Sequence, residues 1–178
     1  MVECVIDIET LGTSSDSVVL SVGAVKFNSC GNSDPHTLFY VKLDMDHQVR
    51  LGRIISDSTI GWWSKQAPEV IEDTFSDHGR ISLDEFVKQF NKYVVGCDVF
   101  WAQGAVFDFV ILEHLYRSLG QPWPINYWEC RDSRTLFKLF PSDPRGKNTE
   151  VVHHALSDAY NQAIAIQNSY SRLNLCQE

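Results

Sequence analysis

Apolar and polar positions alternate from the first residues of the chain. Over residues 2–9, Cys4, Ile6 and Ile8 fall on one side, and Val5, Asp7 and Glu9 on the other. This period of two predicts a β-strand. Residues 18–27 form a second run rich in β-branched residues, and residues 38–43 a third. The links between them, residues 13–17 and 28–34, are built from turn formers. Three successive strands on short links predict an antiparallel meander.

The period then lengthens. Residues 58–75 read as helical, with an interruption near Pro68. Ser82 and Glu85 form a capping box for a helix running to about residue 95. DVFWAQ, residues 98–103, reads as a short strand. Residues 107–119 follow as a helix with Gly120 as its stop, and Pro122 and Pro124 keep the next link extended. Residues 127–130 read as the last strand, before a short helix through residues 137–140 and the loop PSDPRGKN, residues 141–148. A final helix runs from about residue 154 to 173, with Leu156, Ala159, Ala163, Ile166, Tyr170 and Leu173 along one stripe. This order predicts an α/β fold, a mixed five-stranded sheet flanked by helices. No repeat or linker divides the chain, so residues 1–178 read as one domain.

Composition narrows the class. The chain has 178 residues, 44% of them hydrophobic, which is enough to bury one core. No run approaches the roughly 18 apolar residues of a membrane span. The first residues lack the basic and apolar regions of a signal peptide. The five cysteines are scattered and form no CxxC pair, suggesting neither a zinc site nor a disulfide framework, and favouring a reducing, cytoplasmic setting. The net charge of -8 argues against a broad basic surface for gripping duplex DNA. It is compatible with a nucleic-acid enzyme whose metal ions supply positive charge locally.

The candidate chemistry rests on acids. Asp7 and Glu9 share one face of the first strand, ~7 Å apart at Cα. Carboxylates so placed either converge on a hard cation such as Mg²⁺ or Mn²⁺ or simply face solvent. Asp108 stands at the start of a helix in an apolar setting, where an acid also serves as a cap or dipole partner. His153, His154 and Asp158 lie at the start of the last helix, where a histidine is often structural. Together these segments can deliver side chains to one edge of a sheet.

In that order, VIDIETLG, GAVFDFVIL and HHALSDA resemble the three motifs of the DEDDh 3′→5′ exonucleases, in the DnaQ-like group of the ribonuclease H-like superfamily. STIGWWSKQAPEVIED and CRDSRTL resemble the phage exonuclease A and bacterial exoribonuclease-like branch of that group. The likeness extends from residue 2 to about residue 165. It departs from the family at Gly104, where many members carry Asn. The family's histidine stands five residues before the last Asp, which is His153. His154 occupies the position used by tyrosine-type relatives.

The resemblance implies a ribonuclease H-like fold and two-metal hydrolysis of phosphodiester bonds, with ions ~3.5–4 Å apart. Asp7, Glu9, Asp108 and Asp158 would ligate two divalent cations, Mg²⁺ or Mn²⁺, with Asp7 bridging both. His153 would act as general base, a role suited to its ordinary pKa of about 6.5. Thr10, Leu11, Gly12 and Phe107 would hold the 3′-terminal nucleotide, and Trp62 or Trp63 would stack on a base or pack in the core. Independently of the resemblance, Arg131, Arg134, Lys138, Arg145 and Lys147 are candidates to guide the strand, the loop of Arg145 and Lys147 being equally readable as a solvated loop. The implied substrate is a single-stranded 3′ end, with DNA favoured and RNA the alternative, and the product a nucleoside monophosphate. A homodimer is compatible with the family, and a non-catalytic binding module is the competing class.

Overall fold

A computed structural model describes residues 1–31, 33–145 and 153–176. Three strands open the chain: β1 (Glu3–Thr10), β2 (Val19–Phe27) and β3 (Thr37–Leu43). Three short helices follow, α1 (Met45–Arg50), α2 (Asp57–Trp63) and α3 (Pro68–Phe75), and then β4 (Arg80–Ile81) and α4 (Leu83–Val94). The second half is β5 (Val99–Ala102), α5 (Ala105–Ser118), β6 (Cys130–Asp132), α6 (Ser133–Phe137) and α7 (Ala155–Arg172).

The strands form one mixed sheet in the order β4-β3-β2-β1-β5-β6. The meander β1–β2–β3 is antiparallel, as its short links require, while β5 lies parallel to β1 and β6 parallel to β5. The sheet therefore has six strands where the sequence pattern predicts five. The extra strand, β4, is two residues long and pairs parallel with β3, too short to display a period. Helix α1 escapes the pattern for the same reason. Residues 127–129 make a 3-10 turn, so the last strand starts at Cys130.

The alternation of β1 divides the interior. Cys4, Ile6 and Ile8 enter the larger core, with Phe86 and Phe90 of α4 and Ile111, Leu112 and Leu115 of α5. Val5 enters a second core on the other face, with Trp101, Phe137 and the small residues Ala159 and Ala163 of α7. Leu11, Val18, Leu20 and Trp63 form a third cluster beneath α2 and α3. No helix of the described residues is long and apolar enough to cross a membrane.

One glycine sets the spacing of the layers. Gly23 lies opposite Asp7 in the β1–β2 ladder. A Cβ there would sit 2.2 Å from the Ala155 carbonyl carbon and 2.3 Å from the Leu156 nitrogen. The first turn of α7 thus rests directly on the β2 backbone, which only glycine permits.

The cysteine reading needs correction. Cys30 and Cys176 form a disulfide, with Cα atoms 5.3 Å apart, tying the β2–β3 link to the segment after α7. They are 146 residues apart in sequence, so nothing local betrays the pair. Cys4, Cys97 and Cys130 are free thiols.

Candidate active site

The acidic face of β1 opens into a cavity of about 520 Å³. Asp7 and Glu9 come to it from β1, Phe107 and Asp108 from the first turn of α5, and Asp158 from the first turn of α7, with His153 just ahead of that helix. All five residues of the proposed catalytic set, drawn from three separate segments of the chain, line this one cavity. Ile8, Gln103, Arg134, Asp143, Arg145, Asn161 and Gln162 complete the lining.

Asp108 is 4% exposed, and its Oδ1 accepts a hydrogen bond from the Ile8 amide at 3.2 Å, tying α5 to β1 between the two strand acids. Gly104 caps this helix with φ 122°, a region that strains any side chain. The glycine found where relatives carry Asn therefore matches the local backbone.

His153 also has positive φ, 68°. Histidine tolerates that conformation better than most side chains, though at a cost. The turn lets the His153 amide donate to Asp158 Oδ2 at 3.1 Å, while the imidazole lines the cavity. Trp62 meets that ring edge-on at a centroid distance of 4.7 Å. His154 has a different environment. Its ring stacks on Tyr40 at 4.4 Å, its Nδ1 accepts from the Ser157 amide at 3.4 Å to cap α7, and its Nε2 lies 3.8 Å from Asp73.

Gln162 is a participant the sequence reading missed. It is 3% exposed, donates from Nε2 to Asp7 Oδ1 at 2.9 Å, and accepts from Ser133 Oγ at 3.2 Å. Its position four residues after Asp158, on the same helix face, was the available signal.

Thr10, Leu11 and Gly12 are not among the residues that line the cavity. Leu11 is 3% exposed against Val18, Leu20 and Trp63, and its amide donates to the Val18 carbonyl. The Thr10 hydroxyl donates to the Gly12 carbonyl, and Trp63 Nε1 donates to the Thr10 carbonyl. Trp63 is therefore core, and Trp62 is 41% exposed beside His153. Among the basic residues, Arg134 and Arg145 line the cavity, Arg131 and Lys138 are exposed nearby in the chain, and Lys147 lies outside the described residues. Arg145 is paired with Asp143 and donates to Gln103 Oε1 at 2.7 Å.

Crowded, partly buried acids resist ionisation. Burial, then the charges of Asp158 and Asp108, push Glu9 up to about 8. Burial, then Asp108, Glu9 and Asp158, hold Asp7 well above the usual carboxylate range against the opposing Gln162 hydrogen bond. Burial pushes Asp108 up to about 7 although the Ile8 amide favours its anion, and burial also raises Asp158. Ligand atoms of Glu9, His153 and Asp158 lie within 4.8 Å of one another. An oxygen-rich set whose members repel without a counter-charge fits hard divalent cations.

Comparisons with known proteins identify the fold and the family. A phage T4 exodeoxyribonuclease is 25% identical over 159 residues, covering 76% of this chain and 70% of that relative. The nuclease domain of 3′hExo, a DEDDh family member solved with rAMP, superposes with a TM-score of 0.62 at 12% identity, covering 99% of this chain and 94% of that one. E. coli exonuclease I, solved with single-stranded DNA, superposes at 0.66 and 11% identity, covering 97% of this chain and 41% of that longer one. Exonuclease X, solved with 5′-overhanging duplex DNA, superposes at 0.58 and 16% identity, covering 97% and 93%. The fold is thus that of the ribonuclease H-like DEDDh exonucleases. The family described as the 3′-5′ exoribonuclease Rv2179c-like domain matches residues 2–170, and the chain belongs to it as a 3′-5′ exonuclease.

Proposed function

We propose that the protein removes nucleoside monophosphates from the 3′ end of single-stranded RNA, using divalent cations and His153 as general base. The observation that carries this reading is the convergence of Asp7, Glu9, Asp108, Asp158 and His153 on one cavity. The family description favours RNA over the DNA expected from sequence alone. DNA is the second reading, favoured by the phage T4 relative.

Asp7, Glu9, Asp108 and Asp158 would hold Mg²⁺ or Mn²⁺. Bound there, such cations would supply positive charge to the scissile phosphate and lower the pKa of the attacking water. The chain's own residues do the rest. Gln162 fixes the orientation of the Asp7 carboxylate. The His153 imidazole faces the cavity and takes the proton of the attacking water. Arg134 and Arg145 meet backbone phosphates at the rim, and Phe107 offers its ring to the terminal base. Cation removal should abolish cleavage.

The test uses 3′- and 5′-labelled single strands of RNA and DNA, with Mg²⁺, Mn²⁺ or EDTA. RNA should shorten from its 3′ end faster than DNA, and EDTA should stop both. His153→Ala should lose ~10²–10⁴-fold in rate while still taking up cation. Asp7→Ala should lose both. Parental-rate degradation by Asp7→Ala would overturn the site, and faster DNA shortening would move the assignment to the second reading.

A further inference from the structure

The most exposed aromatic pair among the described residues lies away from the acids. Tyr127 is 85% exposed and Trp128 60%, their rings edge-to-face at 5.0 Å. The turn that presents them is firmly built. The Glu129 carboxylate accepts from the Asn126 amide at 3.0 Å and from Asn126 Nδ2 at 2.9 Å. Arg131 Nη1 donates to the Trp128 carbonyl at 2.7 Å and to the Cys130 carbonyl at 2.9 Å.

The same segment leads to the cavity. It enters β6, the edge strand beside β5. Asp132 then accepts from the Ala105 amide at 2.9 Å, at the start of the helix that carries Phe107 and Asp108. Arg134 lines the cavity and donates to the Gln103 carbonyl at 2.9 Å. Arg134 stands six positions after Trp128, so their Cα atoms lie within about 20 Å. The acids of the segment are half-buried and hydrogen-bonded, Glu129 to Asn126 and Asp132 to the first turns of α5 and α6, whereas Arg131 and Arg134 are exposed.

We propose that Tyr127 and Trp128, flanked by Arg131 and Arg134, form a stacking platform for bases of the single strand several nucleotides 5′ of the end seated in the cavity. The proposal rests on the exonuclease reading and adds a second binding site to it. Aromatic faces interleaved with cations suit a single strand, since every base offers a π-face and every linkage a phosphate. The cationic flank and the continuity with the cavity favour this occupant over a second copy of the chain.

The test compares KM for a dinucleotide and a ten-nucleotide single strand sharing the same 3′ end. The parent should favour the longer strand. In the double variant Tyr127→Ala/Trp128→Ala, the ratio of the two KM values should shrink by about fivefold or more, since stacking contributes ~1–3 kcal/mol per base. Trp128→Phe should restore most of the ratio. Sedimentation velocity on the same proteins should show one oligomeric state. An unchanged ratio overturns the platform. So does a variant that splits a parental dimer, which would assign the aromatics to a second copy. If the parent shortens neither strand, the exonuclease reading falls and the platform with it; if it shortens both and only the ratio fails, the platform alone falls.

Discussion

Each carboxyl of the cage costs free energy when ionised, and this sets a pH dependence. Glu9 is pushed from an ordinary 4.5 to about 8, and Asp108 from 3.8 to about 7. Between those limits the unfolded chain has released protons that the folded chain retains, so stability falls as pH rises through that window. Without divalent cation, the melting temperature should be lower at pH 8.5 than at pH 5.5. Mg²⁺ should raise it most at the alkaline end, where the carboxylates are free to ligate. Calorimetry in EDTA and in Mg²⁺ checks this, and a cation-free melting temperature that climbs with pH would contradict it. At this scale the sequence was partly legible. The motif resemblance singled out the acids and His153, and the fold brings them to one cavity. The left-handed backbone that turns His153 to the cavity while His154 caps α7 could not, because φ is set by how the chain enters the helix.

The elements that matter most are β1 and α7. The alternation of β1 was readable because Cys4, Ile6 and Ile8 make one face wholly apolar while both acids fall on the other. The approach of α7 was not, because it depends on a missing side chain on a different strand. Gly23→Ala places a methyl within 2.4 Å of three backbone atoms of α7. Helix or strand must shift, at a cost of about 1–3 kcal/mol or more. Asp158 and Gln162 travel with the helix, so activity should fall ~10²-fold, as expected for a displacement near 1 Å. Measuring melting temperature and turnover on the same preparation tests both, and parental values for both would sink the account. The missed elements, β4 and α1, share one property: each is shorter than the window over which a period shows.

Across the whole molecule the net charge is -8, so on the proposed reading bound cations and the few arginines at the cavity must meet the phosphate backbone. The disulfide acts at the same scale. Joining residues 146 apart removes unfolded-state freedom worth up to about 5 kcal/mol. Reduction, or Cys30→Ser, should therefore lower the melting temperature, and an unchanged melt would show that the bond constrains little. Sequence could not anticipate this bond, since only the completed fold brings the segment after α7 beside the β2–β3 link. The ring contact between Trp62 and His153 has a practical outcome of its own. An indole in ring contact with the proposed base senses what enters the cavity beside it, so the molecule carries an optical gauge of its own site. Trp62→Phe should remove the emission change that Mn²⁺ produces in the parent, and a change that survives the substitution would place the gauge on another tryptophan.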